Sequence, residues 1–151
     1  MLEAVDIRLV WNAIRPGIES VHAGMPWVDW IPEDIYSDCL TGKAAVFLRS
    51  GSEPGDAFGV VRVDTNERTG VKVLFIWIAW CPDEVGAAEV HRDLDQLAIQ
   101  LGCSAIEFIT GERKLADFAQ QFGFKKIMYE VRKELPGPTA PVRIEPEEGT
   151  G

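Results

Sequence analysis

Six consecutive residues, Asp83, Glu84, Val85, Gly86, Ala87 and Ala88, stand where this chain could grip an anion. They follow an apolar run over residues 71–80, VKVLFIWIAW, and the pair Cys81 and Pro82. A buried strand, a tight small-residue turn and a helix start leave backbone N–H groups aimed outward, with the positive end of the helix dipole behind them. A phosphate or diphosphate suits such a place. Asp83 and Glu84 oppose it: each carboxylate–phosphate pair a few ångströms apart repels by on the order of a few kcal/mol at an effective dielectric near 20. The same acids also suit a helix N-terminus.

Other chemistry-bearing side chains are few. His22 and His91 are the two histidines. His91 is expected on the solvent face of the helix after the turn, and His22 beside an aromatic loop. Cys39, Cys81 and Cys103 are three in number and far apart. They make no CxxC pair and no metal-ligand spacing, so they read as reduced, buried thiols with no metal.

The elements that must position these residues can be read in order. Residues 5–10 (VDIRLV) read as a first strand, and residues 11–22 as helical, with Pro16 breaking or restarting the helix. Trp27 and Trp30 lie in an aromatic loop. Pro32, Glu33 and Asp34 mark a helix start, and Gly42 its end. Residues 43–49, 57–64 and 71–80 are three strands joined by the turns SGSEPGD and NERTG, an antiparallel meander. The third is apolar on both faces, which predicts cover on both sides. Trp77 and Trp80, three apart on it, are expected on opposite faces. Val90, Leu94, Leu97, Ala98 and Leu101 then recur at helical spacing. A strand over 104–110, a helix over 112–122 ending at Gly123, and a last strand over 124–135 complete a mixed sheet with helices packed on it.

The chain has 151 residues, 46% hydrophobic, and a net charge of −9. That predicts one domain over residues 1–135 with a real core, followed by a proline-, glycine- and glutamate-rich tail over 136–151. The negative charge excludes nucleic acid or an anionic membrane as a general partner. No apolar run reaches the ~18 residues of a membrane span, and no signal segment is read, so a cytoplasmic protein is expected.

The order of elements, the FAQQFGF segment running into a basic strand, and the turn over 83–88 after a long apolar strand together resemble the GNAT (Gcn5-related N-acetyltransferase) superfamily. The resemblance covers most of residues 5–135. It implies an α+β fold with a mixed, mostly antiparallel sheet and helices on both faces. It implies that the strand over 71–80 parts from the strand over 104–110, and that acetyl-CoA enters the gap. Ile78, Ala79 and Trp80 would then meet the pantetheine arm and thioester. Val85, Gly86, Ala87 and Ala88 would meet the diphosphate. Glu107 is the candidate base.

Departures from the family pattern are grouped. Asp83 stands where the family has Arg or Gln. Ala119 stands where it has a tyrosine acid, and Glu112 where it often has Asn. Tyr129 is the candidate replacement acid. Trp27, Trp30 and Tyr36 fall where the family places its acceptor-side loop, and read either as an aromatic wall for a ligand or partner or, in the favoured reading, as a lid packed on the core. The segments WNAIRPGIESV, PWVDWIPEDIY and FIWIAW also resemble small GNAT-like proteins of tailed bacteriophages, which implies a host-cytoplasm or virion location. These features favour a GNAT-fold protein that has lost catalysis. It would serve as an interaction or structural module, binding a protein partner or its own copies through residues 136–151. The alternative is an active acetyl-CoA-dependent N-acetyltransferase acting on a small amine or a protein amine.

Overall fold

Asp6 decides where the first helix begins. Its carboxylate accepts the Arg8 N–H at 2.9 Å and caps the helix. In the computed structural model, which describes residues 2–81, 84–125, 133 and 135–137, with residues 84–88 described by their backbone, strand β1 is therefore short (Leu2–Val5) and helix α1 runs Ile7–Ala23. The strand expected over residues 5–10 is thus mostly helix. Its apolar residues obey helical spacing when read on: Ile7, Val10, Ile14 and Ile18 are all buried. Pro16 does not break α1. It sits on the exposed side, where water can serve the carbonyl that its missing N–H leaves unpaired.

Helix α2 (Pro32–Leu40) starts as expected, with Pro32 in its first turn and Asp34 accepting the Ile31 N–H at 2.9 Å. It carries Cys39 against the core, where burial pushes the thiol up to about 11. The thiolate is the reactive form, so alkylation of Cys39 by a maleimide should be slow at pH 8 and climb until about pH 11; mass spectrometry of the modified peptide reads the rate.

Strands β2 (Ala45–Arg49), β3 (Phe58–Thr65) and β4 (Lys72–Trp80) form the expected meander. Helix α3 (Glu84–Gln100) crosses over to β5 (Ala105–Phe108), which lies parallel to β4. The sheet order is β1-β2-β3-β4-β5, antiparallel except for the last pair. Helix α4 (Arg113–Ala119) follows, tightens into a 3-10 turn (Gln120–Phe122), and stops at Gly123, whose φ of 90° only glycine adopts freely. Residues 126–132 and 138–151 hold most of the expected last strand and tail, and they lie outside the described residues.

Two apolar clusters sandwich the sheet. Ile7, Ile14 and Ile18 of α1 and Ile35 of α2 pack with Val46, Phe58, Val60 and Ile78 on one face. On the other, Ala98, Leu94 and Leu97 of α3 pack with Val61, Leu74 and Ile76. The fold is α+β with a mixed, mostly antiparallel sheet and helices on both faces.

One irregularity sets the site. Val60 pairs with Ile78 but Val61 pairs with Ile76, so Trp77 is an extra residue, a β-bulge. Beyond it the faces exchange. Leu74 and Ile76 face α3, whereas Ile78 belongs to the α1 cluster. Trp77 and Trp80 consequently pack on the same cluster rather than on opposite faces.

Candidate functional site

The strands β4 and β5 run side by side only from Val73 opposite Ala105 to Ile76 opposite Phe108. Past the bulge, Ile78, Ala79 and Trp80 pair with Val60, Gly59 and Phe58 of β3 and have no β5 partner. The sheet is therefore notched at this end. The cause is local: the bulge increases strand twist, and β5 ends at Phe108. Trp80 is held from below, because Gly17 of α1 has room only for a hydrogen where a Cβ would lie 3.1 Å from the Trp80 ring and 2.8 Å from Phe58.

The candidate residues on β4 sit differently from one another. Ile78 is 1% exposed, so only its backbone can serve a ligand. Ala79 is exposed and Trp80 half-buried. All three line a cavity of about 40 Å³ against Val90 and Leu94 of α3. That volume holds a few waters and nothing as large as a pantetheine arm. Val85, Gly86, Ala87 and Ala88 belong to the first turns of α3, not to a turn before it, because the helix already starts at Glu84. Glu84, Val85, Gly86 and Ala87 then carry the four N–H groups that a helix start leaves without intrahelical partners. Asp83 lies outside the described residues. Arg49 at the end of β2 reaches α3 and pairs with Glu89, which answers its charge.

Glu107 lies on β5 with its side chain exposed. Ile106 and Phe108 pack toward α3, so alternation turns Glu107 to the opposite face. Register places it beside Phe75 of β4, which in turn is paired with Arg62 of β3. The Arg62 guanidinium lies 4.3 Å from the Phe75 ring centre and 5.4 Å from that of Trp77. Sequence reasoning named Glu107 but missed this row. Counting outward from the turn that Asn66 closes by donating to the Val71 carbonyl would have found it.

Tyr129 lies outside the described residues. Ala119 is 6% exposed, at the end of α4. His91 is not solvent-facing: its side chain is 16% exposed, its Nε2 is 3.5 Å from Asp95, and its ring lies against Phe122 and Phe124. Among the described residues, His91, Glu107, Ala119 and Trp27 line one open cleft of about 1070 Å³ along β5.

The aromatic loop divides. Trp30 and Tyr36 pack on the core as a lid, and His22 Nε2 is bonded to the Trp30 carbonyl at 2.8 Å. Trp27 instead covers Gly111, beyond the end of β5, so closely that a Cβ there would overlap its ring. Gly111→Ala should therefore expel Trp27 from the lip of the notch, read as a red shift and increased quenching of tryptophan emission, with little loss of stability.

Among the described residues no group of three or more His, Cys, Asp or Glu could hold a metal ion, and no helix is long and apolar enough to cross a membrane.

No family model and no curated protein matches the sequence. Solved structures match the fold. A structure titled a probable acetyltransferase superposes with a TM-score of 0.65 at 10% identity, covering 90% of this chain and 97% of its own. An aminoglycoside acetyltransferase from an uncultured soil metagenomic sample, solved with sisomicin, gives 0.62 at 11% identity, covering 90% and 96%. A ribosomal-protein-alanine N-acetyltransferase from Brucella melitensis biovar Abortus 2308 gives 0.62 at 12%, covering 89% and 99%. Identities this low establish the fold and nothing finer. The chain has the fold of GNAT-type acetyltransferases.

Proposed function

We propose that this chain binds an acyl-CoA, acetyl-CoA foremost, in the β4–β5 notch and transfers the acyl group to an amine. The observation that carries the reading is the parting of the two strands: the end of β4, from Trp77 on, has β3 on one side and no β5 strand on the other. An extended amide-bearing arm can add to such an edge as a strand would. The backbone of Trp77, Ile78, Ala79 and Trp80 is what would hold the arm. The N–H groups at the start of α3 would hold the diphosphate, with Arg49 within reach if it leaves Glu89. Bound acetyl-CoA would supply a thioester activated toward an amine. The protein's part is to orient the reactants and to accept a proton, for which Glu107 is placed beside the notch.

A second reading, a GNAT-fold module that has lost catalysis, is favoured by Ala119, a methyl group where the family keeps an acid. In that reading residues 136–151 dock on a protein partner, and the resemblance to tailed-phage proteins points to a particle component.

Isothermal titration with acetyl-CoA separates the two. Micromolar binding, followed by thiol release on addition of amines, is expected. No heat at millimolar ligand would end the transferase reading and leave the module.

A further inference from the structure

The small cavity under α3 has a definite cause. Phe58 and Val60 on β3, and Ile78 and Trp80 on β4, turn to the α1 cluster. Alternation therefore turns Gly59 and Ala79 to the α3 face, and register pairs them with each other. The next pair on that face, past the bulge, is Val61 with Ile76, and it fills its layer. Gly59 and Ala79 offer only a hydrogen and a methyl group, which leaves a void that Val90 and Leu94 of α3 roof over. Phe47, opposite Gly59 on β2, closes the far side. The walls are almost wholly apolar, and such a void stays dry. Ala79 both lines it and is exposed, so its mouth lies on the stretch of β4 that has no β5 partner.

We infer that this cavity receives the tail of the acyl group, so that donors with a short straight acyl chain bind more tightly than acetyl-CoA, butyryl being the longest chain that fits. A thioester arm lying along residues 77–80 passes the mouth at Ala79. A water-sized group needs about 10–15 Å³ of such space, so a cavity of about 40 Å³ takes about three carbons in a row. Three carbons beyond the carbonyl make a butyryl group. Acetyl has one and leaves most of the void empty. Hexanoyl has five, and its end must lift α3 or stay outside. Each methylene moved from water to apolar walls strengthens binding about fourfold. The inference rests on the acyl-transfer reading and narrows its donor.

The test is calorimetric titration of the full chain with acetyl-, propionyl-, butyryl- and hexanoyl-CoA. Affinity should rise about two- to fourfold at each step to butyryl-CoA and no further with hexanoyl-CoA. Gly59→Ala puts a methyl group into the void. Its nearest neighbour there is the Ile78 carbonyl oxygen at 3.5 Å, an ordinary contact, so the fold should hold. The optimum should then move back to propionyl-CoA. Val90→Leu narrows the void from the helix side and should also lower the ratio of butyryl-CoA to acetyl-CoA affinity. The ratio is the readout because a general loosening of the notch lowers all four affinities together. Level or falling affinities from acetyl to butyryl, a continued rise to hexanoyl, or a ratio unchanged in both folded variants would overturn the inference. Level affinities with acetyl-CoA bound leave the acyl-transfer reading standing, whereas no heat from any of the four ends both.

Discussion

Leu74→Ala should lower the unfolding free energy by about 2–5 kcal/mol, a large part of what a domain of this size has to lose. Leu74 is 0% exposed, in the first half of β4, under α3. Its removal leaves a cavity between two rigid elements that cannot collapse on one another without dragging the sheet. Urea unfolding followed by circular dichroism reads the loss. Ile99→Ala is the comparison, because Ile99 on the outer side of the same helix is 73% exposed and should change stability by less than ~0.5 kcal/mol. Similar losses in both variants would mean that α3 does not pack as described.

The second large effect is an addition, not a removal. Gly17→Ala places a methyl group 2.8 Å from Phe58 and 3.1 Å from Trp80. Helix, strand and indole cannot all stay, and overpacking of this kind costs about 1–3 kcal/mol. Helix propensity acts the other way, since alanine is favoured over glycine by ~1 kcal/mol, so a measured loss understates the clash. The consequence reaches the notch, because Trp80 is the last residue of β4. Acetyl-CoA affinity should therefore fall in Gly17→Ala even under conditions where the protein is fully folded. Gly24→Ala, with ordinary contacts of 3.5 Å and 3.9 Å to backbone oxygens, should leave that affinity unchanged. An unaltered affinity in Gly17→Ala would detach the packing of α1 from the ligand site.

Much of the architecture was legible because local signals and tertiary packing agree. The turn residues between β2, β3 and β4, the Pro32 start of α2 and the Gly123 end of the segment after α4 all fall where their backbone chemistry requires. The start of the chain misled because VDIRLV is short and apolar enough for either period, and only the cap made by Asp6 settles it. The faces of Trp77 and Trp80 misled for a different reason. Alternation is a local rule, and the bulge is created by the partner strand, whose register no single strand reveals. His91 shows the same limit: a histidine between polar neighbours reads as exposed until Phe122 and Phe124, some thirty residues on, are folded against it. Glu107 could be picked out by type, but Arg62 could not, since its role depends on lying across two strands from that carboxylate.

The extra residue at Trp77 also gives β4 a parity. Leu74 and Ile76 on one side of it, and Ile78 and Trp80 on the other, reach their proper layers because the count between them is odd by one. Inserting a further residue there would act like a frameshift written in geometry, sending Ile78 to the α3 layer and Ala79 to the α1 layer. The turns at residues 50–56 and 66–70 carry no such constraint, so natural variation in the length of this chain should collect in them and spare the strand.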